Sequence, residues 1–396
     1  MKILHTSDWH IGKKLHNQSL EEEHKLFFEW LFNIVEQEEI DMLIVAGDIF
    51  DIAYPSASAL ELYYQTLSKL SRSRLKKIII TAGNHDSASN INAPKELLKY
   101  MNITAVGNIK DSLEDILVFY PDKENPEVVV CAVPFLRDRD IRKASQQISI
   151  ESKAEQYRAG TADFFAALAK HVEPYKNSGA KIIVTGHLFV KNAEFDAKER
   201  EKYSLGGIYD ITTEDFPAIF DYVALGHIHR AYPVDKNKKI RYSGNPVKMS
   251  FDENDKKKII IIDTGNMESK EIEVPVFRDK IRLQGDIDQI EEILVKYENK
   301  RQLSPAWAEI IINSQEYDPL YDQKIKDLNQ KLDNITIIDY KIIKPEQDKN
   351  PLPNNETSLK DITPTEIFVQ YLEQAQIGNK QELIDAFKQL INNLYQ

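Results

Sequence analysis

Residues 42–51 read MLIVAGDIFD, an apolar run that ends at Gly47 and is followed at once by Asp48. Short apolar runs that stop at a glycine are typical of buried strands ending at the edge of a sheet. Gly47 lets the backbone turn sharply there, because it has no Cβ to clash. The same construction recurs three times along the chain, and the residues that follow those glycines are Asn84, His187 and His227. These four strand ends predict one sheet rim that holds metal.

Three further residues of metal-binding type lie beside these strand ends. Asp8 and His10 follow the first apolar strand, and residues two apart in an extended segment point to the same side. A capping or core role is the commoner explanation for any one such residue, but together they favour a metal centre with Asp48 in the middle. Oxygen and nitrogen ligands without thiolate favour two ions such as Mn²⁺, Fe²⁺ or Mg²⁺ over structural zinc. The candidate ligands are Asp8, His10, Asp48, Asn84, His187, His227 and His229.

Composition limits the class of protein. The chain has 396 residues, 42% of them apolar, and a net charge of −12, which argues against a simple basic DNA-binding module. A polyanionic substrate would have to be attracted locally, for example by two divalent cations. No apolar run reaches the length of a membrane helix, so we expect no membrane association. The single cysteine, Cys131, lies in the apolar stretch VVVCAVPF and predicts a core thiol in a reducing cytoplasm.

The pattern of apolar residues predicts several regions. Strands alternating with helices over residues 1–276 indicate a layered α/β core, in which Ser19–Glu22 forms a capping box for a helix ending near Gln37. Residues 277–344 predict a compact βαβαβ domain, and 345–362 a polar, proline-containing linker. Residues 363–396 predict two helices that either fold back on the body or bind a partner. Their apolar stripe includes Leu383, Phe387, Leu390 and Leu394.

Other polar residues have two interpretations each. His85 follows Asn84 directly, so its side chain should point in a different direction from that of the ligand. This placement suits a general acid, and the alternative is a residue that merely orients a metal ligand. Asp86 is expected to brace the loop rather than to bind metal. The basic run 137–143 is either a solvated loop or a phosphate-binding segment. Candidate phosphate or DNA contacts are Lys13, Lys14, Arg137, Arg139, Arg142 and Lys248.

The series Asp8-x-His10, Gly47-Asp48, Gly83-Asn-His-Asp86, Gly186-His187 and Gly226-His-x-His229 resembles that of the calcineurin-like metallophosphoesterases. The stretches HTSDWHIGKKL, VAGDIFD, TAGNHDS, ALGHIHR and YSGNPVKMSFDE extend the resemblance to the nuclease subunits of bacterial nuclease–ATPase complexes, over nearly the whole chain. This resemblance implies a four-layer α-β-β-α sandwich, with a small α/β capping domain at 277–344 that positions DNA and a C-terminal helix pair.

The resemblance also implies a specific role for each of these residues. One ion would be bound by Asp8, His10, Asp48 and His229, and the other by Asp48, Asn84, His187 and His227. His85 would be the catalytic histidine. Archaeal and eukaryotic relatives carry a further histidine near the position of Asp51, so its role cannot be transferred to this chain.

The implied activity is Mn²⁺-dependent hydrolysis of DNA by a metal-activated water, as a double-strand 3′–5′ exonuclease and an endonuclease in DNA repair, recombination and replication. The implied partners are DNA, a second copy in a homodimer and an ATPase subunit bound by residues 363–396, in a cytoplasmic, nucleoid-associated location. One alternative is a stand-alone metallophosphodiesterase acting on nucleotides or other small phosphate esters, which would not need the extra domain and apolar tail. A non-catalytic scaffold is the other, and it would not need His85.

Overall fold

The computed structural model describes residues 1–109, 112–137, 141, 150–191, 211–237, 239–298, 303–314 and 320–343, together with Leu383, Ile384 and Phe387. Residues 1–343 form one compact unit, and residues 344–396 form a second unit. In the second unit the three described residues are helical. Of the predicted stripe, Leu390 and Leu394 lie outside the described residues, as do Arg139 and Arg142 among the predicted phosphate contacts.

The first sheet has six strands and carries three of the predicted ligand-bearing strand ends. In spatial order its strands are β14 (Glu268–Glu273), β13 (Lys258–Asp263), β1 (Lys2–Thr6), β4 (Met42–Ala46), β5 (Lys77–Thr81) and β6 (Ile103–Val106). Strands β1, β4, β5 and β6 are parallel, while β13 is antiparallel to both of its neighbours. The carboxyl ends of β1, β4 and β5 therefore meet at one edge of the sheet.

The second sheet also has six strands and carries His187, His227 and His229. In spatial order its strands are β11 (Tyr232–Pro233), β12 (Ile240–Tyr242), β10 (Tyr222–Gly226), β9 (Lys181–His187), β8 (Val128–Cys131) and β7 (Leu117–Tyr120). Strands β8, β9, β10 and β12 are parallel, so β9 and β10 end side by side, with Gly226 opposite His187. The two sheets thus bring both groups of predicted ligands to their carboxyl ends.

Side-chain alternation explains the layering. Ile3, Ile44 and Ile79 of the first sheet share a core cluster with the second sheet, whereas Leu4 and Val45, one residue along, pack with helices. The helices of this region are α1 (Glu21–Gln37), α2 (Ala57–Leu70), α3 (Ala88–Asn92), α4 (Lys95–Lys99) and α5 (Ile150–Asn177). α1 and α2 cover the outer face of the first sheet, and α5 packs on the second. The α/β sandwich expected from the resemblance is confirmed.

One local prediction is wrong. The capping box at Ser19–Glu22 does not form, because Ser19 belongs to strand β3 (Gln18–Ser19), which pairs with β2 (Lys14–Leu15). Helix α1 begins at Glu21 with Leu20 at its N-cap position and no side-chain cap.

The region after residue 276 contains the predicted βαβαβ pattern. Its elements are β15 (Lys280–Gly285), α6 (Ile287–Glu298), β16 (Ala306–Asn313), α7 (Leu320–Lys331) and β17 (Ile335–Ile343). The three strands are parallel, and apolar residues of both helices pack with them in a core cluster of their own. The boundary at residue 276 stays a prediction, because residues 1–343 form one compact unit.

Two expectations from composition can be compared with the structure. Cys131 is completely buried, and burial raises the pKa of its thiol. Among the described helices, none combines the length and the apolar character needed to cross a bilayer.

Candidate metal centre

The loops at the sheet rim have an unusual backbone. Four of the predicted ligands have positive φ angles: Asp8 (50°), His10 (45°), Asp48 (49°) and His227 (99°). Side-chain-bearing residues in such conformations cost on the order of 1–3 kcal/mol each, and they cluster at functional sites. Gly47 has a φ of 85°, and a Cβ at this position would lie 2.1 Å from His187 Nδ1. The rim is therefore packed so tightly that glycine is required beside His187.

Asp48 lies at the centre of the rim. Its Oδ2 atom is 3.2 Å from His187 Nε2 and 3.5 Å from His10 Nε2, so one carboxylate oxygen lies between two imidazoles. Its Oδ1 atom accepts a hydrogen bond of 2.9 Å from the backbone N–H of His85. The side chain is almost completely buried. A carboxylate placed in this way can serve two adjacent cations at once.

One group of ligands forms around Asn84. Its Oδ1 atom is 3.1 Å from His187 Nε2 and 3.0 Å from His227 Nδ1. His187 Nδ1 is 3.0 Å from the carbonyl oxygen of Ala46, which can only accept, so Nδ1 carries the proton. This bond orients the ring and leaves Nε2 directed at Asp48 and Asn84.

A second group contains Asp8, His10 and His229, whose candidate ligand atoms lie within 4.8 Å of one another. The backbone N–H of His227 donates to Asp8 Oδ1 at 2.9 Å, and the Ser7 hydroxyl donates to Asp8 Oδ2. The rings of His10 and His229 lie with centroids 5.0 Å apart. Within the described part of the chain, neither ring nitrogen of buried His10 has a hydrogen-bond partner.

The pKa values of the rim residues depend strongly on the charges of their neighbours. Burial opposes the ionisation of Asp48, yet the neighbouring imidazoles hold its pKa well below the usual range. Burial would lower the pKa of His187, but the Asp48 carboxylate raises it to about 9. Burial raises the pKa of Asp8 to about 6, and burial with the nearby His10 keeps the pKa of His229 well below its usual value. Without cations, protons on imidazoles balance the buried carboxylates.

These residues fit a pair of divalent cations. Buried His10 has two nitrogens without hydrogen bonds among the described residues, and a buried polar atom of this kind normally has a partner. The donors are carboxylate and amide oxygens and imidazole nitrogens, which suit Mn²⁺, Fe²⁺ or Mg²⁺. The structure brings together all seven residues predicted from the sequence as ligands.

His85 and its neighbours lie beside this centre. The His85 ring centroid is 4.9 Å from that of His10, and its Nδ1 donates to the backbone carbonyl of Asp51 at 2.7 Å. Asp86 is buried, and its carboxylate accepts from the backbone N–H groups of Ile49, Phe50 and Gly83 at 3.0, 3.0 and 2.8 Å. Asp86 thus ties together the two loops that carry Asp48 and Asn84.

The predicted phosphate contacts are distributed unevenly. Lys13 is paired with Asp51 at 3.0 Å beside the centre, and Lys14 is exposed in the neighbouring hairpin. Arg137 and Lys248 are partly buried. Sequence reasoning missed Asp51 as a neighbour of the site, although its Oδ1 lies 3.4 Å from His10 Nδ1. Its place four residues after Gly47, within the motif itself, could have indicated this.

Two family profiles and several known proteins match this chain. A family profile described as calcineurin-like phosphoesterase matches residues 1–231, and one described as type 5 capsule protein repressor C-terminal domain matches residues 276–376. The chain is similar to the SbcD component of the SbcCD nuclease of Escherichia coli K12, with 30% identity over 390 residues, which is 96% of this chain and 95% of that protein. The corresponding SbcD proteins of Rhodobacter capsulatus and Bacillus subtilis are 33% and 31% identical over 262 and 255 residues, 64% of this chain in each case and 64% and 63% of those proteins.

Proposed function

The chain belongs to the calcineurin-like phosphoesterase family and, within it, to the SbcD nucleases, and we propose that it hydrolyses DNA phosphodiester bonds at the rim around Asp48. The observation that carries this proposal is the position of Asp48 Oδ2 between His10 Nε2 and His187 Nε2. A buried carboxylate that lies between one histidine of each proposed ligand set would be able to serve both ions of a dinuclear centre.

The proposed cofactors are two divalent cations, with Mn²⁺ as the preferred ion. The first would be bound by Asp8, His10, Asp48 and His229, and the second by Asp48, Asn84, His187 and His227. When bound, such ions supply Lewis acidity, which polarises a phosphoryl oxygen and makes water a stronger nucleophile at neutral pH.

The protein groups then have separate tasks. Asn84 is a neutral ligand, so it orients without cancelling the positive charge that attracts a phosphodiester. His85 would protonate the leaving oxygen as the imidazolium, since its Nδ1–H is fixed on the Asp51 carbonyl and Nε2–H is left to donate. Asp86 keeps the loops bearing Asp48 and Asn84 together through its three backbone contacts.

We propose duplex DNA as the substrate, cleaved by 3′–5′ exonuclease and endonuclease activities, rather than a small phosphate ester. The support is that the relatives are components of a nuclease, and that the similarity covers 95% of the E. coli protein, including the βαβαβ region of this chain. Lys13 and Lys14 beside the centre would contact the DNA backbone. An SbcC-type ATPase bound by residues 363–396, a homodimer and a cytoplasmic, nucleoid-associated location belong to the same proposal.

The test compares wild-type protein and His85→Ala on linear duplex DNA and on a chromogenic phosphodiester, each with Mn²⁺. We expect the wild type to degrade DNA, and the variant to keep two bound ions while its rate falls roughly 10²–10⁴-fold, the usual contribution of a general acid. Cleavage of the small ester without cleavage of DNA would favour the stand-alone phosphodiesterase. A variant with nearly the wild-type rate would limit His85 to orienting its neighbours.

A further inference from the structure

The loop between β12 and β13, residues 243–257, lies directly behind the metal centre. Gly244 has a φ of 71°, and a Cβ at this position would lie 2.8 Å from Ala231 N and 3.1 Å from the carbonyl oxygen of His229. The backbone of this loop is therefore pressed against the segment that follows His229. We refer to residues 243–257 as the β12–β13 loop.

Lys257, at the end of this loop, is a buried cation with an unusual set of partners. It is 6% exposed, and its Nζ lies 2.7 Å from Glu253 Oε2 and 2.8 Å from Asn245 Oδ1. It also donates to the carbonyl oxygen of His229 at 3.0 Å, and Asp255 lies 3.2 Å away. Buried charges of this kind persist only when they are paired and hydrogen-bonded. Here one of the bonds ends on a residue of the metal centre.

The same loop also contacts the metal centre through Ser243. The hydroxyls of Ser243 and Ser7 are 2.8 Å apart. Because Ser7 donates its proton to Asp8 Oδ2, Ser243 must donate to Ser7. The two contacts of the β12–β13 loop therefore end on Asp8 and on His229, which belong to the same proposed ion.

We propose that Lys257 is a positioning residue for the first metal ion: it fixes the backbone of His229, while Ser243 fixes Asp8 through Ser7. This inference rests on the proposed function, since it assigns Asp8 and His229 to one ion. The sheet supports it independently, because β13 is antiparallel to β1 with His5 opposite Ile260. The start of β13, which Lys257 directly precedes, therefore lies beside the end of β1 that leads to Asp8.

Charge and position predict opposite effects when Lys257 is removed. Lys257→Met deletes a positive charge close to a cation site, so electrostatics alone would tighten metal binding. Loss of the bond to the His229 carbonyl would loosen a ligand and weaken binding, and residues that orient ligands typically contribute about 10–100-fold to metal affinity. The sign of the change therefore separates positioning from charge.

The experiment measures Mn²⁺ binding by calorimetry and by electron paramagnetic resonance, in which a coupled ion pair differs from a single ion. For Lys257→Met we expect one ion to bind with wild-type affinity and the affinity for the other to fall about 10–100-fold. The resonance signal of the coupled ion pair should then be lost at limiting Mn²⁺. DNA cleavage by this variant should recover at high Mn²⁺. Lys256→Met is the matched control, because Lys256 is exposed and paired with Glu273 at 2.9 Å, and it should match the wild type.

A double variant guards against misfolding. Lys257→Met alone leaves Glu253 buried without its cation, so Lys257→Met/Glu253→Gln removes both charges and leaves the net charge unchanged. We expect the double variant to show the same weakening of one ion. Two ions bound at wild-type affinity in these variants would overturn the inference, and so would equal weakening of both ions in folded protein. A wild-type protein that binds no ion pair would instead overturn the proposed function itself, and this inference with it.

Discussion

Asp86→Ala tests the proposal that the two ligand loops are held together by one buried carboxylate. Asp86 is 2% exposed and accepts three backbone hydrogen bonds. Two of the donors, Ile49 and Phe50, directly follow Asp48, and the third, Gly83, directly precedes Asn84. Truncation to alanine leaves all three N–H groups in the interior without their partner.

The expected loss of stability follows from these contacts. A buried donor left without a partner costs about 1–3 kcal/mol, so three donors give roughly 3–9 kcal/mol. Burial and the charge of Asp48 raise the pKa of Asp86 to about 6, so deletion also removes an unfavourable buried charge at neutral pH. We therefore expect Asp86→Ala to lower the free energy of unfolding by an amount at the low end of this range, about 3 kcal/mol. Asp86→Asn should lose less, because an amide oxygen at the Oδ2 position keeps the bonds from Ile49 and Gly83 and loses only that from Phe50.

The assay is urea unfolding of metal-free protein at pH 8, where the Asp86 carboxylate is ionised. Asp122→Ala is the matched control, because exposed Asp122 also accepts a backbone hydrogen bond, from Asn125 at 2.9 Å, and should change stability by less than about 1 kcal/mol. We expect the free energy of unfolding to decrease from wild type to Asp86→Asn to Asp86→Ala, and the affinity for Mn²⁺ to decrease in the same order. The reasoning fails if Asp86→Ala costs less than about 1 kcal/mol, or if asparagine is no better than alanine.

Two further predictions concern protons and the partner. Asp48 raises the pKa of His187 to about 9, so in metal-free protein this pair stabilises the fold fully below about pH 6.5 and the contribution is lost as the pH rises through about 9. A metal requires the neutral imidazole, so Mn²⁺ binding should release at least about one proton at about pH 7.5 and progressively fewer as the pH rises through about 9. Calorimetry in two buffers measures this release, and heats independent of the buffer would contradict it. Phe387→Asp with Leu390→Asp should weaken association with an SbcC-type ATPase by several orders of magnitude and leave cleavage of a small phosphodiester unchanged. Unchanged association in a pull-down would show that the stripe does not bind that partner.

Much of the rim could be predicted from the sequence because its determinants are local. An apolar strand, a glycine and a polar residue occur within a few positions of one another, as at Gly47 and Asp48, and parallel strands bring such ends to one edge. The contacts of Lys257 could not be predicted in this way. Lys257 lies 28 residues from His229, and Ser243 lies 236 residues from Ser7, so only the folded sheets bring them together.

Local patterns failed where tertiary pairing overrode them. Ser19 has the sequence context of a helix cap, but it pairs with Lys14 in a short hairpin, and its hydroxyl accepts from Glu21 N at 3.2 Å instead. The apolar pattern does not predict strands β6 and β7, because four-residue apolar segments have too little periodicity to be distinguished from loops. Both are outermost strands of their sheets, next to β5 and β8 respectively.

The positive φ angles at Asp8, His10, Asp48 and His227 have a consequence for laboratory evolution of this protein. Glycine adopts these backbone conformations without strain, whereas the present side chains do not. Selection for heat resistance alone would therefore favour glycine most at His227, which is only partly buried, and would remove that ligand. At Asp8 and Asp48 the backbone hydrogen bonds that the carboxylates accept oppose such a change. A library selected for thermal stability should keep these four codons fixed, or each round of selection should be followed by a screen for metal binding.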